Sequence, residues 1–483
     1  MKQRSFHHII FKNTGLFGFS QIIKIAVKLV TNKMAALFLG PFGIGLIGLI
    51  ENILQLIQGF TNFGIAQSSV REIALVTDET SDENLQEQRL LQIIYKWALA
   101  TGILGFVVCL IFSTKISEVI FETSSDYKWI FILSFYFILN SVSTIRMAVL
   151  QAKKQVTAIV KYNILLAILT SIIASIGYYY FGLASIIPVI LSTSLTGFLL
   201  SLYFTRNIKV LSTSISLKQV FNEGLPMAKL GLLLSVSVIF GQICFYSIRW
   251  FLKENYSYET LGIYQVSNTI LVGYLGLVFT AMANDFYPRL CNYENDTKNF
   301  NNLINDQTEF ALLFVVPAVI GLYLIAPYLI IFLYSKEFLD VVLILKIGLF
   351  AIILKALIWP IGFITLVKGN KLLYLKQNLL GDGVNLIASI VMFYYFGYMG
   401  LGLAMVVMFL LAGIYNYYIA VKLYQFSFRK ETKNIIFISI VFGISAILLN
   451  YFSNFSTFNY YIIPLLFISI GYSFINLKKR LKL

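Results

Sequence analysis

The sequence predicts an all-α polytopic membrane protein of about 14 transmembrane helices, arranged as two parallel-repeat six-helix lobes plus a C-terminal helix pair. Three observations support this prediction. Of the 483 residues, 58% are hydrophobic and only 12% are charged. Apolar runs long enough to span a bilayer recur along the whole chain, and one aromatic motif near residue 180 returns near residue 395.

The composition excludes a soluble protein. Ordinary soluble domains contain about 25% charged residues, and so apolar a chain cannot cover its surface in water. A mean hydropathy of +0.81 also excludes a disordered tail. Three widely spaced cysteines form no disulfide framework, and the only histidines are His7 and His8. No nucleotide-binding, serine-hydrolase or zinc-protease motif occurs, so we do not expect an enzyme.

Each predicted transmembrane helix corresponds to an apolar run of roughly 20 residues, the length that crosses about 30 Å of hydrocarbon. The first run is too long for the apolar region of a signal peptide, so we interpret it as the first helix. The runs are 15–37, 43–65, 93–113, 127–150, 157–181, 184–204, 227–252, 260–283, 310–333, 340–366, 376–397, 400–423, 435–451 and 459–476.

The connections between the runs predict the orientation. Short connections alternate with basic ones; the short ones are Gly40-Pro41, Gly182-Leu183 and Tyr398-Met399. Lys and Arg accumulate in cytoplasmic loops, and the loops opposite the basic set contain only Lys115, Lys253 and Lys336. Both termini are therefore predicted to be cytoplasmic, and the polar stretch 71–89 is predicted to be a cytoplasmic loop.

An internal repeat supports the helix count. Tyr179-Tyr180-Phe181-Gly182 recurs 215 residues later as Tyr394-Tyr395-Phe396-Gly397, and Asn163 matches Asn378 at the same offset. A shift of six spans preserves orientation, which indicates parallel repeats. The predicted divisions are an N-terminal lobe at 1–225, a C-terminal lobe at 226–430, and a helix pair with a basic tail at 431–483.

Two polar stripes lie on the first two predicted helices. Steps of three and four residues place each stripe on one helix face, and charge inside a bilayer usually faces a cavity or a partner. The stripes are Gln21, Lys24, Lys28 and Thr31, and Glu51, Gln55, Gln58 and Asn62. We expect them to line a cavity, with Glu51 as counter-ion to one lysine. A buried structural ion pair is the alternative, although it leaves one positive charge unexplained.

Other candidates lie further along the chain. We expect Lys355, Arg249 and Arg146 to face an anionic substrate, although Arg249 and Arg146 also suit interfacial positions near helix ends. Asn378 and Asp382 are one helical turn apart, and their oxygens suit a coupling Na⁺ or a proton. A buried Asp bonded to neighbouring groups is the alternative. No other cofactor and no structural metal is expected.

Two half-bundles, basic residues inside the spans and no ATPase domain already indicate a secondary transporter of an anionic amphiphile. The chain also resembles Wzx-type O-antigen and polysaccharide flippases of the MOP superfamily over about 12–430. The similarity is carried by Leu39-Gly40-Pro41, Asn62-Phe63-Gly64-Ile65, Arg71-Glu72-Ile73-Ala74 and the stretch 283–290, which reads ANDFYPRL. We take Arg71, Asp285 and Arg289 within these motifs as candidate cytoplasmic gate residues.

The resemblance implies two lobes with alternating access and a specific substrate. That substrate is an undecaprenyl-diphosphate-linked oligosaccharide, turned from the cytoplasmic to the periplasmic leaflet of the bacterial inner membrane during lipopolysaccharide or other surface-polysaccharide synthesis. Lys24 and Lys28 would contact the diphosphate, with Glu51 as their partner. Membrane lipids, a polysaccharide polymerase and a chain-length regulator are the implied partners; nucleic acid is not expected.

Three alternatives remain. A lipid II flippase shares the mechanism, and Asn378 and Asp382 resemble part of its sodium site, but the acid that such proteins add from the seventh span is replaced here by Ser235 and Ser237. A MATE-type drug exporter would need an acidic cavity. A membrane glycosyltransferase would need a large outer loop, whereas the longest here is 114–126. In lipid II flippases two extra C-terminal helices cradle the lipid tail, a role open to 435–476.

Overall fold

The structure is a computed structural model that describes residues 2–77, 83–153, 155–208, 215–452 and 455–481. Within these ranges the backbone forms helices joined by turns and contains no β-strand, so the all-α prediction is confirmed. The first half contains α1 (Lys2–Thr61), α2 (Ile65–Thr77), α3 (Glu83–Ile111), α4 (Ser113–Phe121), α5 (Tyr127–Ala152), α6 (Val156–Phe181), α7 (Ile186–Thr205) and α8 (Leu217–Asn255).

The second half continues with long helices and two short non-α segments. A π-helical turn at Thr269–Tyr274 separates α9 from α10, and a 3₁₀ turn at Lys336–Phe338 precedes α12. The helices are α9 (Tyr258–Asn268), α10 (Leu275–Asn292), α11 (Thr297–Leu333), α12 (Val341–Val367), α13 (Lys371–Phe396), α14 (Tyr398–Tyr424), α15 (Lys430–Phe452) and α16 (Phe455–Leu481).

Glycines with positive φ break the longest helical stretches. A straight helix of 60 residues would be about 90 Å long, which is three times the hydrocarbon thickness of a bilayer. Within α1 the helix is interrupted at Gly40, whose φ is +64°, and Pro41 begins the next helical segment. Gly182 after α6 and Gly397 after α13 have nearly the same φ, +54° and +56°. All three predicted short connections therefore contain such a glycine.

Twelve stretches of the described chain are long and apolar enough to cross a membrane. Two of them, Ile23–Thr61 with 39 residues and Val156–Thr205 with 50, contain the breaks at Gly40 and Gly182 and are each long enough for two crossings. The chain is therefore a polytopic membrane protein, and its helices account for the 14 predicted apolar runs.

The helix bounds reproduce the internal repeat. Both α6 and α13 contain 26 residues, and each bound of α13 lies 215 positions after the matching bound of α6. The ends of α5 and α12, at Ala152 and Val367, are separated by the same offset. Tyr180 and Tyr395 are each 71% exposed, as expected for aromatic side chains at a membrane interface. The predicted internal repeat is thus reflected in the helix bounds.

Two compact units divide the chain, Met1–Tyr246 (the first unit) and Ser247–Leu483 (the second unit). The boundary lies within α8, and the predicted lobe division at 225/226 falls earlier in the same helix. In the first unit, α2, α3, α5 and α8 bury an apolar core that includes Ile73, Ile94 and Val149. In the second, a core around Phe286 and Ile364 joins α10, α11, α12 and α14.

A buried ion cluster attaches the C-terminal pair to the second unit. Helices α15 and α16 pack against α11, where Glu309 is fully buried. Its carboxylate pairs with Arg429, at 3.3 Å, and with Arg480 at the end of α16, and it accepts a hydrogen bond from the Thr432 hydroxyl on α15. Asp306 also pairs with Arg429. The pair is therefore fixed by charge as well as by apolar packing.

Candidate functional site

The α1–α8 cavity lies inside the first unit and encloses about 280 Å³. Helix α1 places Gln55, Gln58 and Asn62 on one face, because these residues are three and four positions apart. These three predicted stripe residues do line a common cavity. Its other polar lining residues come from α3, α5 and α8 and are Thr101, Ser141, Thr144, Ser235 and Gln242.

Hydrogen bonds between helices shape this cavity. Asn52 donates from Nδ2 to Oε1 of Gln242 at 3.1 Å, which connects α1 to α8. The hydroxyls of Thr101 and Ser141 lie 3.1 Å apart, and Ser141 donates to the Ala98 carbonyl at 2.7 Å. Sequence reasoning did not find Thr101, Ser141 and Thr144, because hydroxyl residues are common in membrane helices for purely structural reasons.

The backbone approaches closely where α2 begins beside α8. Gly64 has a φ of +58°, and a Cβ there would lie 2.3 Å from the Gly231 carbonyl oxygen. A Cβ on Gly231 would in turn lie 2.2 Å from the Phe63 carbonyl oxygen. Two glycines are therefore required at this crossing, which forms one end of the cavity. The family-like motif around Gly64 thus has a structural role.

The other half of the predicted stripes lies elsewhere on α1. Thr31 donates to Ser171 Oγ on α6 at 2.9 Å, Lys24 is half-buried, and Gln21 and Lys28 are exposed. None of these four lines the α1–α8 cavity. Glu51 is exposed, and within the described residues neither Lys24 nor Lys28 forms an ion pair with it. The expected direct counter-ion contact is therefore not formed in this structure.

The first unit contains a second cavity, the α5–α6 cavity, which encloses about 470 Å³. It adjoins the α1–α8 cavity, because Ala66 and Thr144 line both. Its polar side chains are amides and hydroxyls: Asn140, Ser143, Thr144, Gln151 and Tyr162. Ser143 and Tyr162 both approach the Gly197 carbonyl of α7, at 3.2 and 3.4 Å, which holds this wall in place.

The α12–α13 cavity lies inside the second unit and encloses about 370 Å³. It brings together Lys355 from α12 with Asn378 and Asp382 from α13, three residues that the sequence singled out on two different helices. Trp359, Phe363 and Phe409 supply aromatic walls. Tyr374, Gln377 and Asn416 add polar groups that sequence reasoning missed, because uncharged polar residues give a weaker signal in membrane helices than charged ones.

Both charges in this cavity lack a direct ionic partner. The Lys355 ammonium lies 5.0 Å from the centre of the Phe279 ring and 6.0 Å from that of Phe409, which indicates cation–π attraction. In the described part of the chain, no carboxylate lies within 4.0 Å of Lys355, and Asp382 forms no ion pair. The cavity therefore contains a cation and an anion that are both open to a ligand.

The remaining candidates lie outside these cavities. Arg249 donates to Gln265 Oε1 at 3.0 Å within the second unit. Arg146 donates to the Thr205 hydroxyl at 2.6 Å and lies 5.1 Å from the Tyr95 ring centre, so it bridges α5, α7 and α3. This geometry favours the anchoring alternative for Arg146.

The predicted gate motif is partly described. Asp285 and Arg289 form an exposed ion pair at 2.8 Å, one turn apart on α10. Arg71 belongs to α2, but its side chain lies outside the described residues.

Comparisons with known proteins identify one family and one shared fold. A family model described as "polysaccharide biosynthesis protein" matches residues 34–343. A search of the curated proteins gives no match. The fold is similar to that of the lipid II flippase MurJ in its inward closed conformation, with a TM-score of 0.70 and 16% identity over 98% of this chain and 100% of that one.

Two MATE transporters share the fold as well. An inward-facing multidrug resistance MATE transporter of the MOP superfamily is similar with a TM-score of 0.66 and 13% identity, over 89% of this chain and 96% of that one. A mutant MATE transporter of Vibrio cholerae is similar with a TM-score of 0.58 and 14% identity, over 88% of this chain and 97% of that one. At such low identities these likenesses establish the architecture of the chain.

Proposed function

Because the chain belongs to the polysaccharide biosynthesis protein family, we propose that it is a flippase for a lipid-linked oligosaccharide. The substrate is an undecaprenyl-diphosphate-linked O-antigen unit or a similar surface-glycan precursor, carried by alternating access to the outer leaflet of the bacterial inner membrane. The observation that carries this proposal is Lys355, an ammonium group inside the second unit that no described carboxylate approaches within 4.0 Å.

An isolated ammonium inside the membrane is costly, and proteins retain such groups where a ligand supplies the missing charge. A diphosphate is such a ligand, because it brings negative charge and several acceptor oxygens to a lysine. The prenyl chain can remain in the surrounding lipid while only the headgroup enters the protein. Cation–π contacts with Phe279 and Phe409 stabilise the ammonium when no substrate is bound.

Transport of this kind requires an energy source, and Asn378 and Asp382 supply a candidate coupling site. Both line the same cavity as Lys355, and a single carboxylate can take up either Na⁺ or a proton. Cation binding at Asp382 changes the charge of the cavity by one unit, which alters how strongly it holds an anion. We propose this change as the step that couples the ion gradient to substrate release.

A lipid II flippase is the second candidate, favoured by the similarity in fold to MurJ. The two proposals differ only in the sugar and peptide portion of the headgroup. Export of cationic drugs is disfavoured by Lys355, since its ammonium repels a cation that enters the same cavity. For the polysaccharide function, a polymerase and a chain-length regulator are the proposed partners, with both termini of the chain in the cytoplasm.

A reconstituted system tests the function directly. The full-length protein in liposomes should move a fluorescent undecaprenyl-diphosphate-linked oligosaccharide between leaflets, measured by quenching of the outer leaflet with a membrane-impermeant reagent. A lipid II analogue in parallel vesicles separates the two candidates. Failure of the protein to move either lipid faster than empty vesicles would refute both.

Asp382→Asn tests the coupling site in the same vesicles. Removing the ionisable carboxylate should abolish the acceleration caused by an imposed Na⁺ or proton gradient while leaving slow, gradient-independent movement. Asp340→Asn is the matched control, because Asp340 is an exposed carboxylate at the start of α12. If the Asp382 variant still responds to both gradients as the wild type does, the coupling ion binds elsewhere.

A further inference from the structure

The described lining of the two cavities in the first unit presents polar groups without charge. The α1–α8 and α5–α6 cavities adjoin at Ala66 and Thr144. Their volumes are about 280 Å³ and 470 Å³, respectively. Among the described residues, their lining contains amides and hydroxyls but no Lys, Arg, Asp or Glu. This differs from the α12–α13 cavity, where Lys355 and Asp382 are present.

Much of this polar surface has free hydrogen-bonding capacity. Within the described residues, the side chains of Gln55, Gln58 and Ser235 form no hydrogen bond, although all three line the α1–α8 cavity. Each glutamine amide carries two donor hydrogens and an acceptor oxygen. Gln58 and Ser235 are half-buried and Gln55 is exposed, so these groups are accessible to water or to a polar ligand that enters the cavity.

The character of these groups selects a class of ligand. A phosphate oxygen accepts hydrogen bonds and carries charge, whereas a sugar hydroxyl both donates and accepts and is neutral. Amides and hydroxyls match the sugar, because they too donate and accept. A volume of about 280 Å³ is near the lower end for small-molecule pockets, which suits one or two sugar rings rather than a whole glycan.

We infer that the α1–α8 cavity is a binding subsite for uncharged sugar residues of the substrate, with Gln55 and Gln58 as its principal hydrogen-bonding groups. The adjoining α5–α6 cavity extends the subsite for further sugar residues. This inference rests on the proposed flippase function, and it assigns the neutral part of the headgroup to the first unit. Specificity follows, since a sugar that leaves the half-buried Gln58 amide unpaired binds more weakly.

Binding of two defined lipids tests the inference. The probes are undecaprenyl diphosphate and undecaprenyl-diphosphate-N-acetylglucosamine, measured with the purified full-length protein by competition in native mass spectrometry. The wild type should prefer the glycosylated lipid by about tenfold. Gln58→Leu, which removes the amide at similar volume, should reduce that preference at least fivefold without weakening the unglycosylated lipid. Gln55→Leu is a second variant in case the first does not fold.

The control is Gln86→Leu, the same chemical change at an exposed position on α3. Equal affinity of the wild type for both lipids, or an unchanged preference in both cavity variants, would overturn the sugar subsite while leaving the flippase proposal standing. A wild type that binds neither lipid would instead contradict the proposed function, and the inference with it. A variant that loses affinity for both lipids equally would also overturn the inference, because the defect would then not concern the sugar.

Discussion

The α5–α6 cavity of the first unit and the α12–α13 cavity of the second are related by the internal repeat yet differ in charge. At the offset of 215 residues, Asn140 corresponds to Lys355, Thr144 to Trp359 and Tyr162 to Gln377, and all six side chains line their respective cavities. The helices that carry them have matching ends. The repeat therefore preserved the position of a cavity in each half of the chain.

The chemistry of the two cavities diverged at a few positions. Lys355 replaces an amide, and Asp382 stands where the first unit has Ala167. Among the described lining residues, these two positions separate a cavity without charged side chains from one that contains Lys355 and Asp382. Because backbone geometry depends on helix length and on the glycine breaks, whereas charge depends on single side chains, duplicated halves can keep one fold and take different roles.

Removing Glu309 should have the largest effect on stability, because this carboxylate is fully buried and shared by two arginines. The repeat-related position in the first unit is the apolar Ile94, so the two halves differ here in charge. Glu309→Ala deprives Arg429 and Arg480 of their shared carboxylate. Breaking a buried ion pair costs about 3–5 kcal/mol, and we expect about 3 because both arginine side chains are one-third exposed. The loss of stability would be measured by denaturant unfolding in mixed micelles.

Two controls separate charge from packing in that experiment. Glu431→Ala removes an exposed carboxylate on α15 and should change stability little. Glu309→Gln keeps the side-chain volume and removes only the charge, so it should lose nearly as much stability as Glu309→Ala, and salt should change either loss little because a buried pair is screened weakly. Equal stability of Glu309→Ala and the wild type would show that the cluster does not hold the C-terminal pair.

Making the α12–α13 cavity resemble the α5–α6 cavity should have the next largest effect, this time on the rate of lipid transport. Lys355→Asn introduces the residue of the first unit and removes the proposed diphosphate contact. A hydrogen bond to a charged group is worth about 1.5–3 kcal/mol, so transport should fall roughly 10- to 100-fold. The measurement is the rate of lipid movement in reconstituted vesicles.

Two further variants sharpen this result. Lys355→Arg keeps the charge and should retain more transport than Lys355→Asn, whereas Lys376→Asn removes an exposed lysine on α13 and should leave the rate unchanged. If Lys355→Asn transported as fast as the wild type, the charge difference between the two cavities would have no part in substrate binding.

Much of this comparison could be predicted from the sequence, because it depends on periodicity and on rare residues. The repeat and the spans follow directly from periodicity in the sequence. Lys355 and Asp382 are recognisable because charges inside apolar runs are uncommon, and Asn378 because it lies one turn from Asp382. The residues that line the α1–α8 and α5–α6 cavities are much harder to recognise in the sequence. Thr101 and Ser141 are ordinary residues in membrane helices, and only the packing of α3 against α5 brings them together.

The stripe on α1 shows a second reason why prediction failed in part. Periodicity places each stripe on one helix face on either side of Gly40, but it cannot determine which neighbour a face meets after a break in the helix. As a result Gln55, Gln58 and Asn62 line a cavity, whereas Thr31 bonds to α6, and Lys24 and Lys28 do not reach Glu51.

The smallest predicted difference concerns the first residues of the repeated helices. Asn370 precedes α13 and accepts a hydrogen bond from the Leu373 backbone N–H at 3.1 Å, whereas its counterpart before α6, Gln155, makes no such bond. Asn370→Ala should therefore cost about 1 kcal/mol of stability, and Gln155→Ala almost nothing. Denaturant unfolding of both variants measures the difference. Equal losses of stability would mean that the first turns of α6 and α13 are stabilised equally by the residue before them. The divergence between the two repeats would then be confined to the cavities.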